Sequence, residues 1–249
     1  MYALITGASS GIGREIARLL AARRVDLILV ARRVEQLEEL KVELGGAYGV
    51  NVVVKPVDLS IRDNCVKLHW ECLEYDPKIV VNNAGFGRVG TFAEHDLAGD
   101  LAMLDTNVAA VHILTKLFVQ SMGEGKIMNV ASMAGFLPTP LLAAYAATKA
   151  YVHHLGTAID YELQKAKKPI RVLTLCPGPV HTEFGAVAGA RTALPGMSAE
   201  RCAKIAVRGL YRNRRVILPG FMMRLTRFFL RFLPLKAVLS TAYAIQKKK

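Results

Sequence analysis

Short apolar runs alternate with longer segments of helical periodicity along most of the chain. The short runs are rich in β-branched residues and predict seven strands, over residues 3–6, 27–30, 50–55, 79–81, 126–130, 171–176 and 216–218. The longer segments predict helices over residues 12–23, 34–44, 61–74, 97–121, 144–167 and 199–211. This alternation predicts an α/β fold, a Rossmann-like, doubly wound parallel sheet of seven strands with helices on both faces. Such sheets bind ligands beyond the carboxyl ends of their strands.

The one candidate boundary is Pro219-Gly220, after the last predicted strand. We predict a single domain over residues 1–220, followed by a basic amphipathic helical extension over residues 221–249. A length of 249 residues, with 52% apolar and 21% charged residues, is typical of one globular α/β domain. No stretch approaches the ~18–20 uninterrupted apolar residues of a membrane-spanning helix, and the N-terminus lacks the basic region of a signal peptide.

The formal net charge of +13 comes from the C-terminal fifth of the chain. Residues 201–249 contain 13 of the 33 lysines and arginines and none of the 20 acidic residues, so the body before them is balanced. An acidic partner would therefore be recognised by this tail.

Within the tail, Arg224, Arg227 and Arg231 recur at helical spacing among bulky apolar residues, and three lysines end the sequence. A basic stripe on an apolar helix is typical of peripheral contact with a membrane surface. The pattern fits equally a helix that packs over the substrate cleft or a partner subunit, and both interpretations stay open. Nucleic acid is disfavoured, because it needs exposed aromatic residues, whereas we expect those of the tail to be buried or lipid-facing. They are Phe228, Phe229 and Phe232.

The cysteines form no CxxC pair, and no histidine stands at zinc-ligand spacing from them. They are Cys65, Cys72, Cys176 and Cys202. We predict that they are scattered buried thiols of a cytoplasmic protein and that the chain binds no metal.

A glycine-rich turn, TGASSGIG at residues 6–13, joins the first predicted strand to a helix. Glycines here let the backbone approach a pyrophosphate, and the helix N-terminus supplies free N–H groups. After the second strand stand Arg32 and Arg33, where an acidic residue would select NAD. Two arginines suit a 2′-phosphate and indicate NADP, with NAD the less favoured cofactor. Two alternatives remain open: the glycine-rich segment as an ordinary tight turn, and the two arginines as a solvated helix start.

Tyr145 and Lys149 lie four residues apart in a predicted helix and therefore on one face of it. An ammonium beside a phenol lowers the pKa of the phenol, which could then exchange a proton with a substrate oxygen. Ser132 stands thirteen residues before Tyr145, directly after the fifth strand.

These features occur in one order with two further motifs, NNAG at 82–85 and PGPVHT at 177–182. Together they resemble a classical short-chain dehydrogenase/reductase over about residues 1–220. The resemblance implies that Tyr145 is the general acid or base, Ser132 holds the substrate oxygen, and Lys149 tunes Tyr145 and binds the nicotinamide ribose. Asn107 matches the fourth catalytic residue, which supports a water in the proton relay.

The resemblance also implies a set of cofactor contacts spread over five loops. Besides Tyr145 and Lys149 they are Gly7, Ser9, Ser10, Gly11, Ile12, Gly13, Arg32, Arg33, Asp58, Asn83, Ala84, Gly85, Pro177, Gly178, Val180 and Thr182. The family's substrate lid corresponds to residues 183–198. The apolar residues of this lid and those across the cleft indicate either a hydrophobic substrate or a cover for the cofactor. The lid contributes Phe184, Val187, Leu194 and Met197, and the other side contributes Phe136, Leu137, Leu141 and Leu142.

The leading hypothesis is an NADP(H)-dependent oxidoreductase that interconverts a hydrophobic ketone or aldehyde and its alcohol. The alternative is a catalytically silent NADP-binding regulatory or scaffold protein on the same fold. From the resemblance we expect a homodimer or homotetramer formed through helices 100–121 and 144–167. We expect it in the cytoplasm; peripheral membrane contact through residues 221–249 stays one of the two open interpretations of the tail.

Overall fold

The structure is a computed structural model and describes residues 1–189 and 196–247. The strands within these residues are β1 (Tyr2–Thr6), β2 (Asp26–Ala31), β3 (Val52–Pro56), β4 (Ile79–Asn82), β5 (Gly125–Val130), β6 (Ile170–Leu175), β7 (Val180–His181), β8 (Met197–Ser198) and β9 (Val216–Ile217). The helices are α1 (Gly11–Ala21), α2 (Val34–Tyr48), α3 (Arg62–Cys72), α4 (Leu97–Leu104), α5 (Ala110–Ser121), α6 (Ala143–Lys165), α7 (Phe184–Val187), α8 (Ala199–Tyr211), α9 (Phe221–Phe229) and α10 (Leu235–Lys247).

Seven strands form one parallel sheet in the order β3-β2-β1-β4-β5-β6-β9. Strand β1 pairs on one side with β2, where Ala3 lies opposite Leu27, and on the other with β4, where Ala3 lies opposite Ile79. The chain direction across the sheet reverses between β1 and β4, which opens a crevice at the carboxyl ends of these two strands. The predicted Rossmann-like, doubly wound fold is confirmed.

Both faces of the sheet are buried, and alternate residues of one strand serve opposite faces. On β1, Ala3 and Ile5 point to the layer formed by α1, α2 and α8, whereas Leu4 points to the layer formed by α3 and α5. Because neither face of a central strand meets water, these strands appear in the sequence as continuous apolar runs. The four cysteines are buried and free, as predicted.

The predicted helix 97–121 contains a π-helical turn, Asp105–Ala109, between α4 and α5. The whole run, Leu97–Ser121, has the length and apolar composition of a membrane-spanning helix. Polar residues such as Asp105 and His112 interrupt it, so it is not an uninterrupted apolar stretch. In this fold it carries Phe118 into the core and Asn107 into the site, whereas Leu97, Leu101 and Leu104 are exposed.

The segment after β6 differs most from the sequence prediction. Strands β7 and β8 form a separate two-stranded parallel pair, which the periodicity of such short segments could not reveal. Leu194 of the predicted lid lies outside the described residues, as do Lys248 and Lys249 of the tail. The three tail arginines do not form one exposed stripe: Arg224 and Arg231 are exposed, whereas Arg227 turns inward onto the ring of Phe136.

Candidate active site

The phosphate loop lies between the end of β1 and the start of α1. Ser10 occupies the N-cap with extended backbone, and within the described residues its side chain makes no capping hydrogen bond. The N–H groups of the first turn therefore point toward the crevice without a side-chain partner there. A Cβ added to Gly13 would lie 2.5 Å from the carbonyl oxygen of Gly7, so the loop closes this tightly only around glycine. Such an uncapped, close-packed turn fits a dinucleotide phosphate.

Asn83 joins the NNAG motif to this loop. Its Nδ2 donates to the carbonyl oxygens of Thr6 (3.0 Å) and Gly7 (3.2 Å). The backbone N–H groups of Asn83 and Ala84 both donate to the Thr6 hydroxyl, at 2.9 and 3.0 Å. The neighbouring Asn82 points the other way and binds Asn129 in the core. The end of β4 is thereby fixed against the end of β1. We call the phosphate loop and residues 82–85, which meet here, the cofactor cradle.

Arg33 lies at the outer end of the cradle. Its guanidinium donates to the Ser9 hydroxyl (3.1 Å from Nη2) and forms an ion pair with Glu183 (2.9 Å). Asp58 accepts hydrogen bonds from the N–H and hydroxyl of Ser60. Burial acts to raise the pKa of Asp58, but these bonds and the charge of Arg32 outweigh it and hold the pKa below its usual value. The two arginines and Asp58 thus lie together around the end of β2.

The loop that follows β6, residues 177–182, contacts both the turn after Ser132 and the phosphate loop. The Pro177 carbonyl accepts from the N–H of Met133, next to Ser132. At the other end of the loop, the Thr182 side chain packs over Gly11 at the start of α1. Residues 177–182 therefore connect the phosphate loop to the Ser132 turn, with Gly178 and Val180 between them. The side chain of Ile12, which also belongs to the predicted cofactor set, packs against the core beneath the loop.

Ser132, Tyr145 and Lys149 converge at the carboxyl end of β5. The Ser132 hydroxyl caps the following turn by accepting from the N–H of Ala134 (3.1 Å), and it faces the Tyr145 phenol. The Lys149 ammonium donates to the carbonyl oxygen of Val130 (2.9 Å) and lies 5.8 Å from the centre of the Tyr145 ring. Only 8% of Tyr145 and 4% of Lys149 remain exposed.

Asn107 belongs to the same cluster, and it lies in the π-helical turn between α4 and α5. Its Oδ1 accepts from the N–H of Phe86 (3.0 Å), and its Nδ2 donates to the Phe86 carbonyl (2.8 Å) and the Thr148 hydroxyl (3.1 Å). A Cβ added to Gly85 would lie 2.8 Å from Asn107 Oδ1 and 3.3 Å from Lys149 Nζ. Gly85 is therefore the point at which the cofactor loop and the catalytic cluster meet. Thr148 and Phe86 were missed by the sequence analysis, since neither has a distinctive motif.

Burial dominates the titration of the two central groups. It raises the pKa of Tyr145 to about 12, with Ser132 acting weakly in the opposite direction, and it lowers the pKa of Lys149 to about 8. The expectation that Lys149 lowers the pKa of Tyr145 is therefore wrong for the protein alone. The ammonium donates to the Val130 carbonyl, and the loss of water around the phenol has the larger effect.

The substrate side of the site is apolar. The Phe184 ring of α7 lies 5.3 Å from the Tyr145 ring, centre to centre, and Leu142 packs in one cluster with Tyr145 and Met103. Two others of the predicted set have different neighbours: the Phe136 ring contacts His153, and Met197 approaches Gly220. Two side chains of α9 also reach this side. Met223 packs on Gly178, and the Arg227 guanidinium lies 4.7 Å from the Phe136 ring centre.

The family model of the short chain dehydrogenases matches residues 1–193. An uncharacterised oxidoreductase of Mycobacterium tuberculosis is 37% identical over 190 residues, which cover 74% of each chain. A short-chain dehydrogenase from Sphingobium yanoikuyae, solved in complex with NADPH, gives a TM-score of 0.82 at 33% identity over 88% of each chain. A short chain dehydrogenase/reductase from Burkholderia phymatum, solved in complex with NAD, gives 0.83 at 25% identity over 92% of each chain.

The family model and the fold comparisons agree over the stretch of chain that carries the cradle and the buried Ser132, Tyr145 and Lys149 cluster. The resemblance found in the sequence is thereby confirmed. The chain belongs to the short-chain dehydrogenase/reductase family of oxidoreductases.

Proposed function

We propose that this protein is an NADP(H)-dependent oxidoreductase acting on a hydrophobic ketone or aldehyde, or on the corresponding alcohol. The observation that carries the proposal is the burial of Ser132, Tyr145 and Lys149 in one cluster directly beside the dinucleotide cradle. When bound, the nicotinamide supplies or accepts the hydride. The task of the protein is then to hold the substrate oxygen and to move one proton.

Tyr145 is the proton donor to the carbonyl oxygen during reduction. With its pKa raised to about 12 by burial, the phenol holds its proton at neutral pH and offers it to a substrate oxygen seated between it and Ser132. The Ser132 hydroxyl donates to the same oxygen and stabilises the charge that develops there. Asn107 holds the Phe86 backbone and Thr148, so we assign it a positioning role in this cluster.

The preference for NADP rests on Arg33 and Arg32 at the end of β2. Arg33 contacts Ser9 of the phosphate loop, and a guanidinium beside that loop would suit a phosphate on the adenosine ribose. One similar structure holds NADPH and another holds NAD, so the fold is compatible with either cofactor. The arginines favour the phosphorylated form.

The preference for an apolar substrate rests on the apolar wall beside Tyr145. Its exposed member is Phe184, whereas Leu142 and Met103 are buried in the cluster that packs on Tyr145. A wall of this kind stabilises a substrate in proportion to the apolar area it buries. We therefore expect activity to rise with the apolar length of the carbonyl compound.

The test is NADPH oxidation over a panel of ketones and aldehydes graded by chain length, with wild type and Tyr145→Phe. Loss of the proton donor should lower kcat/KM by about 10²–10⁴-fold while NADPH binding stays within about twofold. Tyr161→Phe, an exposed tyrosine of the same helix, is the matched control and should retain full activity. Equal reduction by Tyr145→Phe and wild type would overturn the mechanism. Tight NADPH binding without reduction of any carbonyl would favour the silent binding protein.

We further propose a homodimer or homotetramer in the cytoplasm, formed through the helical run 100–121, which spans the end of α4, the π-helical turn and α5, and through α6. Exposed apolar residues along this side of the molecule, among them Leu101, Leu104 and Tyr151, support the first part. The buried free thiols are consistent with a reducing compartment. Light scattering that finds only monomer would contradict the assembly, and recovery of the protein from an oxidising compartment would contradict the location.

A further inference from the structure

Helix α9 presents its bulky apolar side chains to solvent. The side chains at positions 223, 227 and 230 face the protein and are half-buried. Most of the others are large, apolar and more than half exposed: Phe221, Met222, Phe228, Phe229 and, in the turn that follows, Phe232. A helix on the surface of a globular protein ordinarily has the reverse arrangement, with its apolar stripe turned to the core.

Helix α9 is nevertheless attached to the rest of the protein by specific contacts. Met223 packs against Gly178 of the loop that follows β6, and the Arg227 guanidinium stacks over the ring of Phe136. Phe136 belongs to the short turn that begins after Ser132. These two contacts fix which side of α9 faces outward, and they hold the helix next to the substrate side of the site.

Three of the outward rings form a cluster. Phe228 lies 5.5 Å from Phe229 and 5.4 Å from Phe232, centre to centre, in edge-to-face contact. The three side chains are nevertheless 54%, 52% and 70% exposed. Contiguous apolar surface of this kind marks an interaction site, and clustered aromatic rings are typical of the boundary between lipid and water.

The charged residues of the tail itself are all of one sign. Arg224 and Arg231 flank the rings and are exposed, as is Lys236 at the start of α10. Residues 201–249 contain no acidic residue that could neutralise them. A second copy of this chain would bring the same positive charge against itself, whereas a bilayer with anionic lipid supplies both the apolar layer and the opposite charge.

We propose that α9 and α10 bind the surface of a membrane that contains anionic lipid, with the rings of Phe228, Phe229 and Phe232 inserted among the lipids. This inference goes beyond the proposed reaction and does not depend on it. Because α9 rests on Gly178 and Phe136, binding would hold the substrate side of the active site at the bilayer.

The test is co-sedimentation of the full-length protein with vesicles of phosphatidylcholine, alone or mixed with phosphatidylglycerol. We expect binding to the mixed vesicles, and a loss of about tenfold or more in the partition coefficient for F228S/F232S. R224Q/R231Q should lose about tenfold at low ionic strength and less at high ionic strength. Trp70→Ser removes an equally exposed aromatic ring from α3 and should bind like wild type.

NADPH binding and thermal unfolding of each variant show that it is folded, and sedimentation itself requires no catalytic activity. Equal binding to both kinds of vesicle, no binding to either, or wild-type binding by F228S/F232S would overturn the proposal. Light scattering of the same samples identifies the main alternative. A smaller assembly for F228S/F232S, without vesicle binding by wild type, would assign the rings to an interface between copies.

Discussion

The two sides of the active site are built by different physical means. On the cofactor side, Thr6, Asn83 and Asn107 hold backbone groups of other segments through hydrogen bonds of about 3 Å. On the substrate side, the contacts are apolar: Phe184 on Tyr145, and Leu142 with Met103 in the same cluster. A buried hydrogen bond demands a particular group at a particular position, whereas apolar packing demands mainly volume. This difference explains why the chain identifies its reaction more clearly than its substrate.

Removal of a buried hydrogen-bonding residue from the cofactor side is the strongest way to test this contrast. Asn107→Leu would leave the N–H and carbonyl of Phe86 and the Thr148 hydroxyl without their partner. We expect the free energy of unfolding to fall by about 3–5 kcal/mol, and carbonyl reduction to fall by at least about 10²-fold.

The matched change on the substrate side is Phe184→Leu, which keeps an apolar side chain. We expect it to cost less than about 1 kcal/mol in stability and to alter activity mainly toward the longest substrates. Urea unfolding followed by circular dichroism measures the first quantity for both variants. Equal destabilisation by the two would contradict the contrast between the two sides.

Lys149 sharpens the comparison, since it is a group on the cofactor side that lowers stability. Its pKa is about 8 in the folded chain against an ordinary 10.5, so between these pH values the unfolded chain binds more protons. The contribution of Lys149 to the free energy of unfolding therefore rises with pH between 8 and 10.5. Below pH 8, burial of its ammonium lowers the free energy of unfolding by about 3 kcal/mol as an order of magnitude.

We accordingly expect Lys149→Met to unfold less readily than wild type near pH 7, despite the lost bond to Val130, while carbonyl reduction disappears. The stability difference should shrink as pH rises from 8 to 10.5. Comparison with wild type cancels the effects of Tyr145 and the buried cysteines, whose raised pKa values make alkaline unfolding easier in both proteins. A difference that stays constant with pH would show that burial of the ammonium is not the cause.

The smallest expected effect concerns the ion pair that joins the two sides. Glu183, just before α7, pairs with Arg33, the residue proposed to hold the 2′-phosphate. Its carboxylate competes with that phosphate, so Glu183→Gln should lower the KM for NADPH by about two- to fourfold, with the KM for NADH unchanged. Glu200→Gln, which breaks an exposed pair with Lys204, is the control. An equal change for both cofactors would assign Glu183 to lid packing alone.

The sequence predicted the sheet well and the contacts of the substrate side poorly, for reasons visible in particular residues. Strand β1 is apolar on both faces and is followed by a glycine turn, so both its presence and its role follow from local pattern. Arg227 shows the limit of that reasoning. Helical spacing groups it with Arg224 and Arg231, but contact with Phe136 turns it inward, and no periodicity encodes a contact between distant segments.

For a related reason, the sequence could not predict the pKa values of Tyr145 and Lys149. The spacing of Tyr145 and Lys149 correctly predicts that they share a helix face. It contains no information on how far the surrounding sheet and loops exclude water, and that exclusion determines both pKa values. The π-helical turn at Asn107 likewise has no signature in the helical periodicity of residues 97–121.

The pairing of β1 with β4 has a consequence for how the protein reaches its native state. The hydrogen bond from Asn83 to Thr6 joins residues 77 positions apart in the chain. Loops of that size close late, because their entropy must be lost before the contact forms. A refolding chain should therefore recover helical signal before it recovers affinity for nucleotide. Nucleotide that binds only the completed sheet then favours the native state by mass action, by about 2.7 kcal/mol at a hundred times its Kd.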